Sequence, residues 1–210
     1  MQIFDVTLDL RPGMVLYPGS PEFRIEQHAS IIKGASTNSS LLIMGTHTGT
    51  HVDAPDHIFD GLGGVECLSA ESLIGPCQVV YHPFNRNIEV ADLKPLNWKG
   101  VLRVLFRTPN SDRWAAGEEK FFDNFVALTG EAAQFLAGLR VKLVGVDGLS
   151  VDKFKSGSHP AHTALLEAGI TIVEGVNLAG IAAGDYELFC GPLKLGGGDG
   201  APARVFLVKR

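Results

Sequence analysis

The feature that most limits how this chain can fold is a repeated step from a helix-like segment straight into a strand-like one. The stretch "TGEAAQFLAGL" (129–139) carries apolar residues at helical spacing, with Thr129 placed to cap its start, and "RVKLVGVD" (140–147) follows at once as a strand. The step recurs. "SHPAHTALLEAG" (158–169) puts Pro160 in a first helical turn and Gly169 at the C-terminal cap position, and "ITIVEGV" (170–176) follows. Two such units predict an α/β architecture.

The rest of the chain is strand-heavy. "QIFDVTLDL" alternates like a strand, "RPGMVLYPGSPEF" is punctuated by Pro-Gly as loops are, and "SSLLIMGTHTGTHVD" is a strand running into an irregular segment. "PCQVVYHP" and "GVLRVLFRT" are short Val- and Leu-rich runs that predict buried strands, with "EVADLKPL" between them at most a short helix. The tail, "YELFCGPLKLGGGDGAPARVFLVKR", predicts two strands joined by a glycine-rich turn. Gly196 to Gly200 lacks the Lys-Ser/Thr and helix start of a phosphate cradle. No linker, repeat or low-complexity segment interrupts residues 1–210, which predicts one domain.

Composition excludes several partners. A net charge of −5 with no run of Lys or Arg argues against nucleic acid or an anionic membrane surface. No segment is apolar for the ~20 residues of a spanning helix, and "MQIFDVTLDLRPGM" lacks the basic start and apolar core of a signal peptide. Cys67, Cys77 and Cys190 are odd in number and unpaired by spacing, so a reducing cytoplasm is the expected setting.

Function concentrates in "GTHTGTHVDAPDH" (45–57), which holds three of the seven histidines. Gly45, Gly49 and Pro55 disfavour a helix, while the threonines and Val52 favour extended backbone. On an extended chain His47, His51, Asp53 and His57 have one parity and point to one side. Burying such a set unpaired would cost several kcal/mol, so the set predicts metal binding. Extended spacing puts His47 and His51 about 13 Å apart at roughly 3.3 Å per residue, whereas metal–nitrogen bonds are only about 2.0 to 2.1 Å. Either the glycines curve the chain, or two neighbouring ions are held with His51 or Asp53 between them. Further ligands must come from elsewhere. His162 in a first helical turn and Glu174 at a strand end are candidates, with His159 a rival that spacing alone does not eliminate. His28 and His82 are expected to be solvated loop residues, and Asp147 and Asp152 turn caps that could touch the site.

"HTGTHVDAPDH" also matches in every specified position the signature H-x-G-T-H-x-D-x-P-x-H of the cyclase-like metal hydrolases, the family that includes bacterial kynurenine formamidase and isatin hydrolase. "LYPGSPEF", "GPCQVV", "VLFRT", "VKLVGVDGLSVD", "AHTALLEAGITIVEG" and "GDYELFCGPLKLGGGDGAPAR" extend the resemblance over nearly the whole chain. The resemblance implies that His47, His51 and Asp53 are metal ligands, that His162, rather than His159, and Glu174 complete a binuclear site, and that His57 is the catalytic histidine. It implies a compact α/β domain with a barrel-like mixed sheet core and flanking helices, usually a homodimer, with zinc the usual ion and manganese an alternative. Tyr17 stands before Pro18-Gly19 where kynurenine formamidases commonly carry a substrate-contacting tryptophan, and "VDGLSVD" replaces their D-T-P-S.

The resemblance implies hydrolysis of an amide bond in an aryl amide or lactam, with N-formyl-L-kynurenine the best single substrate and isatin or a cyclic imide the alternative. Two other readings compete. His51, Asp53 and His162 would also satisfy the two-histidine, one-carboxylate triad of a mononuclear iron oxygenase, but that leaves His47 and Glu174 unused. A non-catalytic metal-binding module has no use for an unligated His57.

Overall fold

In a computed structural model, which describes residues 1–210, both helix–strand units form where the sequence predicts them. The strands are β1 (Gln2–Asp5), β2 (Arg24–Ala29), β3 (Ser39–Ile43), β4 (His51–Asp53), β5 (Ile74–Tyr81), β6 (Arg103–Arg107), β7 (Leu143–Val146), β8 (Thr171–Glu174), β9 (Gly184–Pro192) and β10 (Gly200–Lys209). The helices are α1 (Ala70–Leu73), α2 (Val90–Leu93), α3 (Asn110–Ala115), α4 (Gly130–Ala137) and α5 (Pro160–Glu167). Thr129 Oγ1 accepts the backbone N–H of Ala132 and caps α4. Pro160 opens α5, and Gly169, at φ 71°, turns the chain into β8.

The strands run in the order β10-β4-β8-β7-β6-β5-β9, and β9 pairs back onto β10, so seven strands close into a mixed barrel with β1 added along β10. β5 to β8 are parallel neighbours, while β4, β9 and β10 run antiparallel to theirs. The α/β barrel implied by the family resemblance is therefore the architecture found.

Alternation along the strands divides the core in two. Val52, Leu105, Leu143, Val173, Val205 and Leu207 pack inside the barrel. Val104, Phe106, Val144 and Ile172 face outward onto Ala132 and Leu136 of α4 and Leu165 of α5. A sheet covered on both faces needs apolar residues at both parities, which is why these strands read as continuous runs. Each fully buried leucine contributes about 1.5–3 kcal/mol against exposure.

Several sequence expectations are corrected. β1 stops at Asp5 rather than running through Leu10, because the Leu8 N–H donates to Thr50 Oγ1 at 2.8 Å instead of to a neighbouring strand. Strand β2 was not expected at all; it pairs only with β3, outside the barrel, and its residues are largely exposed, so no face imposed an apolar pattern. His28 lies exposed on that strand. His82 is buried rather than solvated, and its Nε2 shares a 2.9 Å hydrogen bond with the Arg86 carbonyl. Asp147 is likewise more than a turn cap: buried, it accepts hydrogen bonds from the backbone N–H and hydroxyl of both Thr108 and Ser111 and from the Asn110 amide, fastening the start of α3 to the end of β7. Burial pushes its carboxyl up to about 6 against these donors. No helix is long and apolar enough to cross a membrane.

Candidate active site

The cluster in 45–57 is assembled by a bend, not by one extended run. Only His51–Asp53 is a strand; residues before it turn, with Gly49 at φ 66°, and Pro55–His57 form a short 3-10 turn. The one-sided parity therefore holds for His51 and Asp53, which leave Val52 to the barrel interior, but not for His47 or His57. The bend at Gly49 replaces extended spacing with contact: His47 Nδ1 lies 2.8 Å from Asp53 Oδ1, and the His47 and His51 rings are 5.0 Å apart.

β4 sits between β8 and β10 in register, with His51 opposite Glu174 and Asp53 opposite Gly200. His162 arrives from the first turn of α5. Its Nε2 is 3.1 Å from Glu174 Oε1 and 3.5 Å from Asp53 Oδ2, while His51 Nε2 is 3.3 Å from Asp53 Oδ1 and 3.4 Å from Glu174 Oε2. All five residues named by the sequence come together. Their donor atoms form two triplets, His47–His51–Asp53 and Asp53–His162–Glu174, each within 4.8 Å, and Asp53 belongs to both.

Two atoms inside this cluster, His51 Nε2 and Asp53 Oδ2, are buried without a hydrogen-bond partner. Oppositely charged side chains lie within 3.5 Å of both atoms, yet neither is hydrogen-bonded to them. Buried polar atoms left unpaired cost stability, and imidazole and carboxylate donors suit zinc or manganese, so the residues fit divalent ions. Burial opposes charge on His51, but Asp53 and Glu174 outweigh it and lift the imidazole to about 10; on Asp53, burial is outweighed by His162, His47 and His51, which hold it well below the usual carboxylate range. A divalent cation bound there would compete with protons for these imidazoles.

Hydrogen bonds fix the imidazoles. His51 donates through Nδ1 to the Gly49 carbonyl at 2.9 Å, and His162 through Nδ1 to Asp152 Oδ2 at 2.7 Å, so both turn Nε2 inward. Asp152 also accepts the backbone N–H groups of Ala161 and His162. It caps α5 and touches the site at once. His159, in the left-handed region at φ 48°, is exposed at the rim and lies within reach of Asp152 rather than of Asp53 or Glu174. Its rivalry with His162 ends there.

A cavity of about 230 Å³ opens over the cluster, bounded by His57, His159, Tyr17, Leu149 and Ser150 beside the inner histidines. The His57 ring is 4.0 Å from that of His47 and 5.4 Å from that of His162, and burial holds its pKa below the ordinary histidine value. Tyr17 packs edge-on against Phe121 and Phe154 at 5.8 and 5.7 Å. Sequence reasoning found neither of these phenylalanines, nor Asp199, whose Oδ2 is 3.2 Å from His47 Nε2. Only the acid inside an otherwise glycine run could have signalled the last.

Fold and site together define an α/β barrel protein with overlapping imidazole–carboxylate clusters beneath a small cavity. Residues 4–153 match the family model described as "Putative cyclase", and the chain belongs to that cyclase family. It is 36% identical to a kynurenine formamidase of Erythrobacter litoralis over 98% of this chain and 93% of the relative. A solved "potential metal-dependent hydrolase with cyclase activity" superposes with a TM-score of 0.83 at 35% identity, covering 98% of this chain and 96% of the other. Isatin hydrolase A from Labrenzia aggregata superposes with a TM-score of 0.82 at 26% identity, over 100% and 94% of the respective chains.

Proposed function

We propose that this chain is a metal-dependent hydrolase of amide bonds other than peptide bonds, acting on an N-formyl aryl amine, with N-formyl-L-kynurenine the best single substrate. The observation that carries the reading is the pair of donor triplets sharing Asp53 with unpartnered atoms at their centre. His47, His51 and Asp53 would hold one divalent ion and Asp53, His162 and Glu174 a second, zinc being the expected metal and manganese the alternative. Charge supports two ions: Asp53, Glu174, Asp152 and Asp199 supply four negative charges at or beside the cluster, which two divalent cations balance. When bound, such ions lower the pKa of water toward about 7 and polarise a carbonyl.

The protein's own groups supply the rest. Burial disfavours the charged form of His57, which suits it to accept the proton of the attacking water and return it to the departing amine nitrogen as the C–N bond breaks. Formate and the aryl amine are the products. Tyr17, edge-packed on Phe121 and Phe154, forms an aromatic wall against which an aryl ring can lie.

Metal analysis combined with a turnover screen on N-formylkynurenine, other N-formyl aryl amines, isatin and cyclic imides tests this reading. Preferential formamide hydrolysis by metal-loaded protein supports it. Isatin as the better substrate moves the chain to lactam opening, and no hydrolysis of any of them overturns it. A cytoplasmic homodimer or higher oligomer completes the proposal. Exposed Ile3, Ile74 and Phe189 around an apolar hollow on the barrel's outer face support self-association, which light scattering checks.

A further inference from the structure

Three imidazoles surround the ion-binding cluster, and one is reversed. His51 and His162 turn Nε2 inward because Nδ1 is engaged outside, by the Gly49 carbonyl and the Asp152 carboxylate. His47 instead turns Nδ1 inward, 2.8 Å from Asp53 Oδ1, and leaves Nε2 pointing outward at Asp199 Oδ2, 3.2 Å away. An imidazole that coordinates through Nδ1 must carry its proton on Nε2, and a carboxylate there selects that tautomer.

We infer that Asp199 is a positioning residue, which accepts the Nε2–H of His47 and so presents Nδ1 to the ion. The inference rests on the metal-hydrolase reading for the identity of the cluster, but its geometry is separate. Asp199 lies within the glycine run of 196–200, and that run is pinned. The Ala54 N–H donates to the Asp199 carbonyl at 2.9 Å, the Val65 N–H to the Gly198 carbonyl at 2.8 Å, and the Gly197 N–H to Glu66 Oε2 at 3.0 Å. Gly200 then pairs with Asp53 across β10 and β4, so the carboxylate is delivered by the residue beside that pair. Gly200 also clears the space: a Cβ there would stand 2.6 Å from His47 Cε1. The run is a built support for one histidine rather than a loose turn. Asp152 on His162 is its counterpart on the opposite side.

The test uses Asp199→Ala and Asp199→Asn, both of which keep the backbone bonds that hold the run. Zinc affinity is measured by competition with a chromophoric chelator, and the His47 tautomer in the metal-free protein at alkaline pH by two-bond proton–nitrogen correlation. Asp199→Ala should weaken one zinc by about 10- to 100-fold, the usual effect of removing such a partner, and the His47 ring should lose its single Nε2–H form. Asp199→Asn, which keeps an acceptor oxygen, should recover most of the affinity and the tautomer. In a His47→Ala background Asp199→Ala should have no further effect. Unchanged affinity and tautomer in Asp199→Ala overturn the inference. So does complete loss of one zinc in both variants, which would make Asp199 a ligand. If wild-type protein takes up no zinc or manganese, the hydrolase reading falls as well; if it loads normally and Asp199→Ala behaves like it, only the inference falls.

Discussion

Asp152 holds His162 twice: Oδ2 accepts the ring Nδ1–H at 2.7 Å and the backbone N–H of the same residue at 3.1 Å. One carboxylate thus starts helix α5 and aims its imidazole. Asp152→Ala should destabilise the fold by about 1 kcal/mol through the lost cap and weaken one ion by about 10- to 100-fold. Thermal unfolding of the metal-free protein and a zinc titration separate the two effects. Full affinity with lowered stability would reduce Asp152 to a cap.

His57 should be separable from metal binding. His57→Ala is expected to keep both ions and fold normally while kcat falls by about 10² to 10⁴. Metal stoichiometry measured beside the rate decides the matter, and loss of one ion per chain would show that the proton is handled by another residue.

Tyr17 lies at the cavity wall, packed on Phe121 and Phe154 and placed to contact the aryl ring rather than the reacting carbonyl. Stacking there is mostly uniform binding, so Tyr17→Ala should raise KM more than it lowers kcat. Steady-state kinetics on the substrate identified by the screen check this; a drop confined to kcat would contradict the stacking role.

Gly200→Ala tests the space beside His47. The new methyl would meet His47 Cε1 at 2.6 Å and the Val52 carbonyl at 2.9 Å, both packed in place. Overpacking of this kind costs about 1–3 kcal/mol, and displacing His47 should lower metal content. A variant that melts and loads like wild type would show that the ring has room to move.

The pH dependence of metal-free protein has a definite sign. Burial opposes charge on His51, yet Asp53 and Glu174 lift it to about 10, above its unfolded value of about 6.5. Its contribution to stability is therefore complete below pH 6.5 and is lost as pH rises toward 10. Ion binding needs the imidazole neutral, so it strengthens over the same range. The difference in Tm between zinc-loaded and chelator-stripped protein should widen from pH 6.5 to 9, and a constant or narrowing difference would contradict the assignment of His51.

Much of the site was legible because its chemistry is concentrated: three histidines and Asp53 in eleven residues, plus a histidine at a helix start and a glutamate at a strand end. Their mutual geometry was not. Parity arguments assume unbroken extension, and Gly49 in the left-handed region breaks it. Asp199 stayed hidden because a glycine run has no pattern to show that its backbone is pinned from Ala54 and Val65. The partners of Tyr17 lie at 121 and 154, in segments without periodicity. In the fold, buried strands announced themselves by composition, whereas β2, exposed on both faces, carried no such mark.

β4 contributes only three residues to the barrel, yet it joins β8 on one side and β10 on the other. It is the shortest strand of the ring, and two of its three side chains are candidate ligands. An ion held by Asp53, His162 and Glu174 would act as a rivet across the seam between β4 and β8, binding only when the ring is closed and adding its binding free energy to closure. Stripping the metal should then loosen the molecule locally before it loosens globally: the amides of Val52 and Val173, neighbours across the seam, would exchange with solvent sooner, while those of β6 and β7 keep their protection.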